Sequence, residues 1–236
     1  FLTEGATLSL PYKIAKIDNF GDVNWGPYVS YDCYWDKNGI NKENEDLSSP
    51  TLKVGHSAST GRVNWHENFR DGVDLSFDQY VGYNFQKEEY IATLSGTVSL
   101  YKSFNNRIGI NSRFYGFYNY NQNTQIGSYL RGIRDDQRYK TDDWEAKGFS
   151  GEPQKALNTQ AAIVGNIDIP IRILTTDWNE FNKFCFGENS WLTNHLTWMR
   201  YFDFEMHISP FFDFAFADNL ITGKTFAIKD GWYGAG

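Results

Sequence analysis

The chain has 236 residues, a formal net charge of -7, 18% aromatic residues and a mean hydropathy of -0.54. This length suits one large β domain or two small ones, and the acidic balance argues against a nucleic-acid partner. Its abundant Tyr, Phe and Trp are residues enriched in strands and at membrane–water interfaces. No apolar run approaches the roughly 20 residues of a transmembrane helix, and Cys33 and Cys185 make no disulfide framework.

Alternating apolar and polar side chains fill most of the first 120 residues. This period of two is typical of strands with one apolar face. The predicted strands lie at 7–14, 23–35, 51–65, 73–85, 90–100 and 108–120. Short turns are predicted at 18–22, 66–71, 86–89 and Asn105-Asn106, and long polar loops at 36–50 and 121–156. Most of these strands far exceed the 5 or 6 residues that are usual in soluble domains. They are long enough to cross a bilayer when tilted.

The same alternation fits a soluble β-sandwich or a transmembrane β-barrel, which differ in what the two faces meet. Long strands, aromatic residues near strand ends, and connections that mostly alternate short and long favour the barrel, although the short turn at 86–89 breaks that alternation. One set of side chains is then expected to face lipid: Val73, Leu75, Phe77, Leu94, Val98, Ile110 and Phe114. The opposite set is expected to face a lumen: Asp74, Ser76, Ser95, Thr97, Asn111 and Arg113.

Further strands are predicted at 157–169, 204–216 and 225–236, with Asp168 and Asp213 on the polar face. Residues 175–201 lack clean alternation, and a turn carrying a short interfacial amphipathic helix is one interpretation. With about nine strands, a start at Phe1 without a signal peptide and an end in mid-strand, the chain is expected to be a fragment or a processed chain. Two open sheet edges would make it unstable alone in hydrocarbon.

Leu130-Arg131-Gly132-Ile133 lies inside the long polar segment 121–156. Arg131 offers a planar fork of donors that a carboxylate can bind bidentately, and Gly132 allows the backbone to approach a wall closely. The pattern suits a loop tip held by a salt bridge, although an ordinary charged surface loop also fits it. A guanidinium inside a lumen needs a carboxylate partner, so Arg131 is predicted to lie within salt-bridge distance of Asp168 or Asp213.

These residues resemble a signature of the BamA/TamA superfamily, also called the bacterial surface antigen family. Residues 129–133 resemble its V-R-G-F/Y loop motif, 165–170 its strand with a lumenal acid, and 210–215 its "FxDxG" strand, with Ile133, Asp168 and Ala215 departing from the usual residues. The resemblance implies an all-β, antiparallel transmembrane β-barrel of the bacterial outer membrane. Residues 1–236 would be part of a 16-stranded barrel, with loop 121–156 inserted in the lumen and with the final strands and periplasmic POTRA domains absent.

The resemblance also implies a function without catalysis: insertion of barrel proteins into the outer membrane, or translocation of polypeptides. Expected partners are outer-membrane lipids, unfolded barrel-protein or secreted polypeptide substrates, and periplasmic domains or accessory lipoproteins. No cofactor is expected, and His56, His66, His195 and His207 show no metal-ligand spacing. Two alternatives stay open. One is the barrel anchor of a patatin-like lipase or other hydrolase, for which His207, Ser209 and Asp213 share a strand face; the other is a passive porin.

Overall fold

The computed structural model describes residues 2–18, 20–36, 39–40, 50–126, 129–131, 158–177, 203–218, 226–228 and 231–236, together with residues 180, 183, 184, 187, 191 and 195. Nearly all of this part of the chain is antiparallel β-sheet, which confirms the all-β class. Among the same residues, no helix combines the length and the hydropathy needed to cross a membrane.

The strands, numbered in chain order, fall into a first and a second half. The first half contains β1 (Leu2–Ser9), β2 (Tyr12–Ile17), β3 (Gly21–Asp36), β4 (Gly39–Ile40), β5 (Thr51–His66), β6 (Phe69–Asn84), β7 (Glu89–Phe104) and β8 (Ile108–Tyr120). The second half contains β9 (Thr124–Gln125), β10 (Asn158–Thr159), β11 (Ala161–Asp168), β12 (Ile171–Asp177), β13 (Asp203–Ile208), β14 (Phe211–Asp218) and β15 (Trp232–Ala235).

Thirteen strands form one sheet whose main path is β1-β3-β5-β6-β7-β8-β11-β14-β15. The short strands β2 and β4 pair with β3, while β12 and β13 pair with each other beside β8. Strands β9 and β10 form a separate two-stranded sheet at the base of the long segment. The segment predicted as loop 121–156 therefore contains a strand. Within the described residues β1 and β15 do not pair, so the sheet has two edges.

Four strands, β5 to β8, run without interruption and are joined by tight turns. Asn105 and Asn106 both have positive φ, 51° and 50°, and form the centre of a tight turn in which the Arg107 N–H donates to the Phe104 carbonyl at 3.1 Å. At the turn between β6 and β7, the side-chain oxygen of Asn84 accepts hydrogen bonds from the backbone N–H groups of Gln86 and Lys87, at 3.0 and 3.1 Å. The predicted turn at 66–71 was too wide, because pairing continues to His66 and resumes at Phe69.

The strand that the sequence predicts as continuous over 204–216 is interrupted at Pro210, and a second gap lies beside it at Pro170. Strands β11 and β12 are separated by Ile169-Pro170, and strands β13 and β14 by Ser209-Pro210. Proline has no N–H group to donate to a ladder. The prediction at 204–216 was therefore wrong on continuity, while the strand predicted at 157–169 is divided at Gln160 and not at a proline. The gaps are spanned by the Ile169 N–H, which donates to the Pro210 carbonyl at 2.9 Å, and the Gly109 N–H, which donates to the Pro170 carbonyl at 2.8 Å.

The sheet has an apolar face and a polar face, as the alternation predicts. Cross-strand partners share a face. The pairs Leu75–Val98 and Val98–Phe114 join members of the set predicted to face lipid, and the pair Val81–Ala92 lies on the same face. Many large side chains of this apolar face are exposed, for example Val81 at 54% and Leu94 at 46%. The polar face holds the buried polar side chains of the long strands: Ser30, Thr51, Asn84, Ser99, Asn119 and Asp213. This is the reverse of the usual arrangement in a water-soluble domain.

The main cluster of buried apolar side chains lies on the polar face. Ile126 and Leu130, from the segment after β9, pack there against Phe117 of β8 and small or apolar residues of β11, β14 and β15: Ala162, Val164, Ala215, Ala217 and Trp232. Cys33 of β3 is also buried, outside this cluster. The buried apolar cluster is therefore local, and it packs Ile126 and Leu130 onto the sheet.

Candidate functional site

The described residues of the segment from Ile126 to Arg131, which are Ile126 and 129–131, follow β9 and rest on the polar face of β8, β11 and β14. Ile126 and Leu130 are 0% and 1% exposed, and the Tyr129 N–H donates to the Ile126 carbonyl at 3.0 Å. Burying two large aliphatic side chains contributes on the order of 3 to 6 kcal/mol, as an upper estimate. Small side chains on the strands beneath leave the necessary room. The backbone at Arg131 is therefore held close to the sheet.

Arg131 binds two carboxylates from neighbouring strands. Its Nε and Nη2 donate to the two oxygens of Asp213 on β14, at 3.0 and 2.8 Å, and its backbone N–H donates to the same carboxylate at 2.6 Å. Its Nη1 lies 2.6 Å from Oδ1 of Asp168, the last residue of β11. The side chain of Asp213 is fully buried, whereas Asp168 and Arg131 are 30% and 44% exposed. The bidentate pair is therefore the anchored part of the site.

The electrostatics of the site follow from this burial. A carboxylate without access to water is costly unless cations and N–H groups surround it. Asp213 receives three N–H donors from Arg131 alone. In return, the hydrogen bonds to Asp213 and then to Asp168 raise the pKa of Arg131 further above its ordinary value. The guanidinium is a cation throughout the ordinary pH range, as for any arginine.

Three further contacts hold the same segment. The side-chain amide of Asn166 on β11 donates to the Tyr129 carbonyl at 2.7 Å. The Tyr129 ring packs on Tyr115 of β8, with ring centroids 5.3 Å apart. The Arg131 guanidinium lies over the Phe211 ring, 4.5 Å from its centroid, which is a cation–π geometry. Arg131 thus has neighbours on its carboxylate side and on the face of its guanidinium plane.

The base of the segment is fixed by a hydrogen-bonded chain of polar side chains. Thr93 donates to the Asn119 side-chain oxygen at 2.8 Å, and the Asn119 amide donates to the hydroxyl of Thr124 on β9 at 2.9 Å. The Gln122 amide donates to the Tyr80 hydroxyl at 2.7 Å. Buried polar groups need such partners. The start of the segment is thereby tied to β6, β7 and β8, and Arg131 ties its far end to β11 and β14.

The structure brings together Leu130, Arg131, Asp168 and Asp213 from the predicted site. The expected salt bridge is present with both carboxylates, while its role as a lock stays a prediction. Gly132 and Ile133 lie outside the described residues, as do Arg134 and Arg138. Sequence reasoning missed Asn166 and the small residues Ala162 and Ala215. The signal for Ala162 and Ala215 was the presence of small apolar residues on a strand face that is otherwise polar.

The alternative hydrolase site is not assembled. His207 Nε2 lies 2.9 Å from Glu205 Oε2, and its ring packs on Phe69. Asp213 is bound to Arg131, and Ser209 lies in the gap between β13 and β14. The three residues therefore do not form a hydrogen-bonded triad. In the part of the chain that the structure describes, no group of three or more His, Cys, Asp or Glu is arranged to hold a metal ion.

The geometry supports a segment anchored across the polar face of a long-stranded sheet. Comparisons with protein-family models, with curated proteins and with solved structures found no match to this chain. The resemblance to the BamA/TamA superfamily consequently rests on the residues quoted for it, and the function is a matter for proposal.

Proposed function

We propose that this sheet is part of the wall of a transmembrane β-barrel in a bacterial outer membrane. The observation that carries the proposal is the inverted burial of the two sheet faces: large apolar side chains are exposed and polar side chains are buried. Strands β5, β6 and β7 each have 16 residues, more than the 9 to 11 or so that cross a bilayer when tilted. Their apolar face is exposed and their polar face holds the buried side chains. A contiguous exposed apolar surface needs a partner, and lipid fits strands of this length.

Closure follows from the same proposal. Open sheet edges are not tolerated in hydrocarbon, because unpaired N–H and C=O groups cost several kcal/mol each. The edges at β1 and β15 are therefore paired in the membrane, in the 16-stranded barrel that the resemblance implies. The polar face lines its lumen, where the segment from Ile126 to Arg131 lies.

The activity that we propose is the insertion of barrel proteins into the membrane or the translocation of polypeptides. A segment fixed on the lumenal side by Arg131, Asp168 and Asp213 narrows the lumen, which suits regulated passage of a polypeptide better than free diffusion through a porin. The pairing also joins β11 and β14 to the segment, so that a change in the segment is transmitted to the wall. Unfolded barrel proteins or secreted polypeptides are the substrates, and outer-membrane lipids surround the apolar face.

Two measurements test the proposal. In phospholipid vesicles, bromine-labelled lipids quench the emission of tryptophans that face the lipid. The part of the emission that is lost in Trp25→Phe should be quenched more strongly than the part that is lost in Trp232→Phe, because Trp25 lies on the apolar face and Trp232 on the polar face. Equal quenching would reject the membrane wall. Vesicles containing the protein should also accelerate the folding of an unfolded barrel protein or take up a polypeptide. Failure of both activities with normal quenching would leave a membrane barrel of another function, such as the porin.

A further inference from the structure

A second feature of the polar face is a cavity of about 430 Å³ beside Arg131. Three arginines line it: Arg70 of β6, Arg113 of β8 and Arg131. Asn111, Tyr101 and Asp168 complete the polar part of its wall. The strand register brings these groups together, because Asn111 is paired with both Tyr101 and Asp168, and Arg113 with Asn166. The cavity thus collects cations from three separate parts of the sequence.

The charges around the cavity do not cancel. Asp168 and Asp213 both bind Arg131. Arg70 lies over the rings of Trp65 and Tyr101, at 4.4 and 5.3 Å from their centroids. Within the described part of the chain, neither Arg70 nor Arg113 has a carboxylate at salt-bridge distance. Three guanidinium groups therefore face two carboxylates, in a chain whose overall net charge is -7.

We propose that this cavity is an oxyanion-binding site that takes a phosphate or carboxylate group between Arg70 and Arg113. Arginine presents a planar fork that matches both groups bidentately, and a cleft in which positive charge is in excess concentrates anions. The rings of Trp65 and Tyr101 hold the Arg70 guanidinium in place, so less rotamer freedom is lost on binding. The Asn111 amide supplies a further donor at the wall. The proposed site lies beside the Arg131 pair, where three of the five guanidinium N–H donors of Arg131 are already used by Asp168 and Asp213.

The test is isothermal titration of the whole chain in maltoside micelles, which contain no phosphate. Inorganic phosphate and glutarate are the two probes. We expect saturable binding of at least one of them, with an affinity that falls tenfold or more in Arg113→Gln and in Arg70→Gln. Arg62→Gln is the matched control, because Arg62 is an exposed arginine of β5 paired with Val73 on the apolar face. Circular dichroism establishes that each variant retains its sheet.

The two probes and one lipid separate the sources of the oxyanion. Phosphate binding that phosphatidylglycerol in the micelle displaces assigns the site to a lipid headgroup, and phosphate binding that persists assigns it to a free solute. Binding of glutarate alone assigns it to a carboxylate. Absence of saturable binding of both probes, or binding that both Arg113→Gln and Arg70→Gln leave unchanged, overturns the proposal. Neither result depends on polypeptide insertion, so this proposal and the proposed function fail separately.

Discussion

Two arginines in this molecule each bind two carboxylates, but they do so in opposite ways. Arg131 comes from a segment outside the strands and is 44% exposed, while its partner Asp213 is fully buried on a strand. Arg172 lies on β12 and is 13% exposed, while its partners Glu67 and Glu205 are 53% and 18% exposed. In the first cluster the carboxylate is the buried member of the pair. In the second cluster it is the arginine.

This difference decides how each cluster responds to the loss of a partner. Asp213 depends on a single side chain for its cation, so removal of Arg131 leaves a buried carboxylate without one. Arg172 has two carboxylates and also lies over the Phe69 ring, 5.3 Å from its centroid. Loss of either carboxylate leaves it with the other. A single substitution therefore removes the charge partner of Asp213, whereas the two carboxylates at Arg172 are redundant.

The largest expected effect is that of Arg131→Ala. Asp213 would keep the backbone N–H of residue 131 but lose its cation, at a cost of about 3 kcal/mol, near the lower end for a broken buried pair because water reaches Arg131. The segment 121–156 should then be cleaved faster in limited proteolysis, and urea unfolding in vesicles should give the loss of stability. Insertion or translocation activity should fall as well.

The control for this variant is the double substitution Arg131→Ala with Asp213→Asn, which removes the stranded charge and should recover part of the lost stability. Arg134→Ala and Arg138→Ala, at positions on the polar flank of the motif, should have little effect. Equal protection of 121–156 in Arg131→Ala and the parent would reject the lock.

A smaller loss is expected for Arg172→Met. The substitution retains an apolar side chain but removes the guanidinium that lies over Phe69 and pairs with Glu67 and Glu205. Hydrogen bonds to charged groups contribute about 1.5 to 3 kcal/mol each when formed in full, and partial exposure of the two carboxylates reduces this to about 1 to 2 kcal/mol in total. Urea unfolding measures it. A loss equal to that of Arg131→Ala would contradict the contrast between the clusters.

Asp168→Asn should cost less again, about 0.2 to 1 kcal/mol, the range of a solvent-accessible ion pair. Arg131 would retain its three hydrogen bonds to Asp213. Proteolysis of 121–156 should change only slightly. If Asp168→Asn loosened the segment as much as Arg131→Ala, then Asp168 rather than Asp213 would be the anchoring carboxylate.

The smallest expected effect is that of Glu67→Gln, because Glu67 is more than half exposed and Arg172 keeps Glu205. The change in unfolding free energy should be at most about 0.5 kcal/mol. Combining it with Glu205→Gln should give more than the sum of the two single changes, since the double variant leaves the buried arginine without a carboxylate. Strict additivity in this double-mutant cycle would argue against redundancy.

The sequence predicted most of what depends on local periodicity. The two faces of β6, β7 and β8 follow from alternation, and the parity of Asp168 and Asp213 placed both carboxylates on the side to which Arg131 binds. The Arg172 cluster was not predicted. Arg172 and Glu67 are 105 positions apart, and nothing in the local pattern of either residue indicates that the β5–β6 turn reaches β12.

Local geometry at single residues is a further part that alternation does not reveal. At Gly72, with φ of 140°, a side chain would collide with the Arg62 carbonyl, so the close approach of β5 and β6 requires glycine there. Pro170 and Pro210 are visible in the sequence, but alternation continues across Pro210 and hides the break there. Only the paired strands show that the two gaps lie side by side, where Ile169 donates to Pro210.

The adjacent proline gaps have a mechanical consequence. Each proline removes one donor from the ladder, so the ladder is weaker where Pro170 and Pro210 lie side by side than along the uninterrupted strands β5 to β8. On one side of the two gaps lie β11 and β14 with the Arg131 pair, and on the other lie β12 and β13 with Arg172. We expect β12 and β13 to bend relative to β11 and β14 more easily than two uninterrupted strands would.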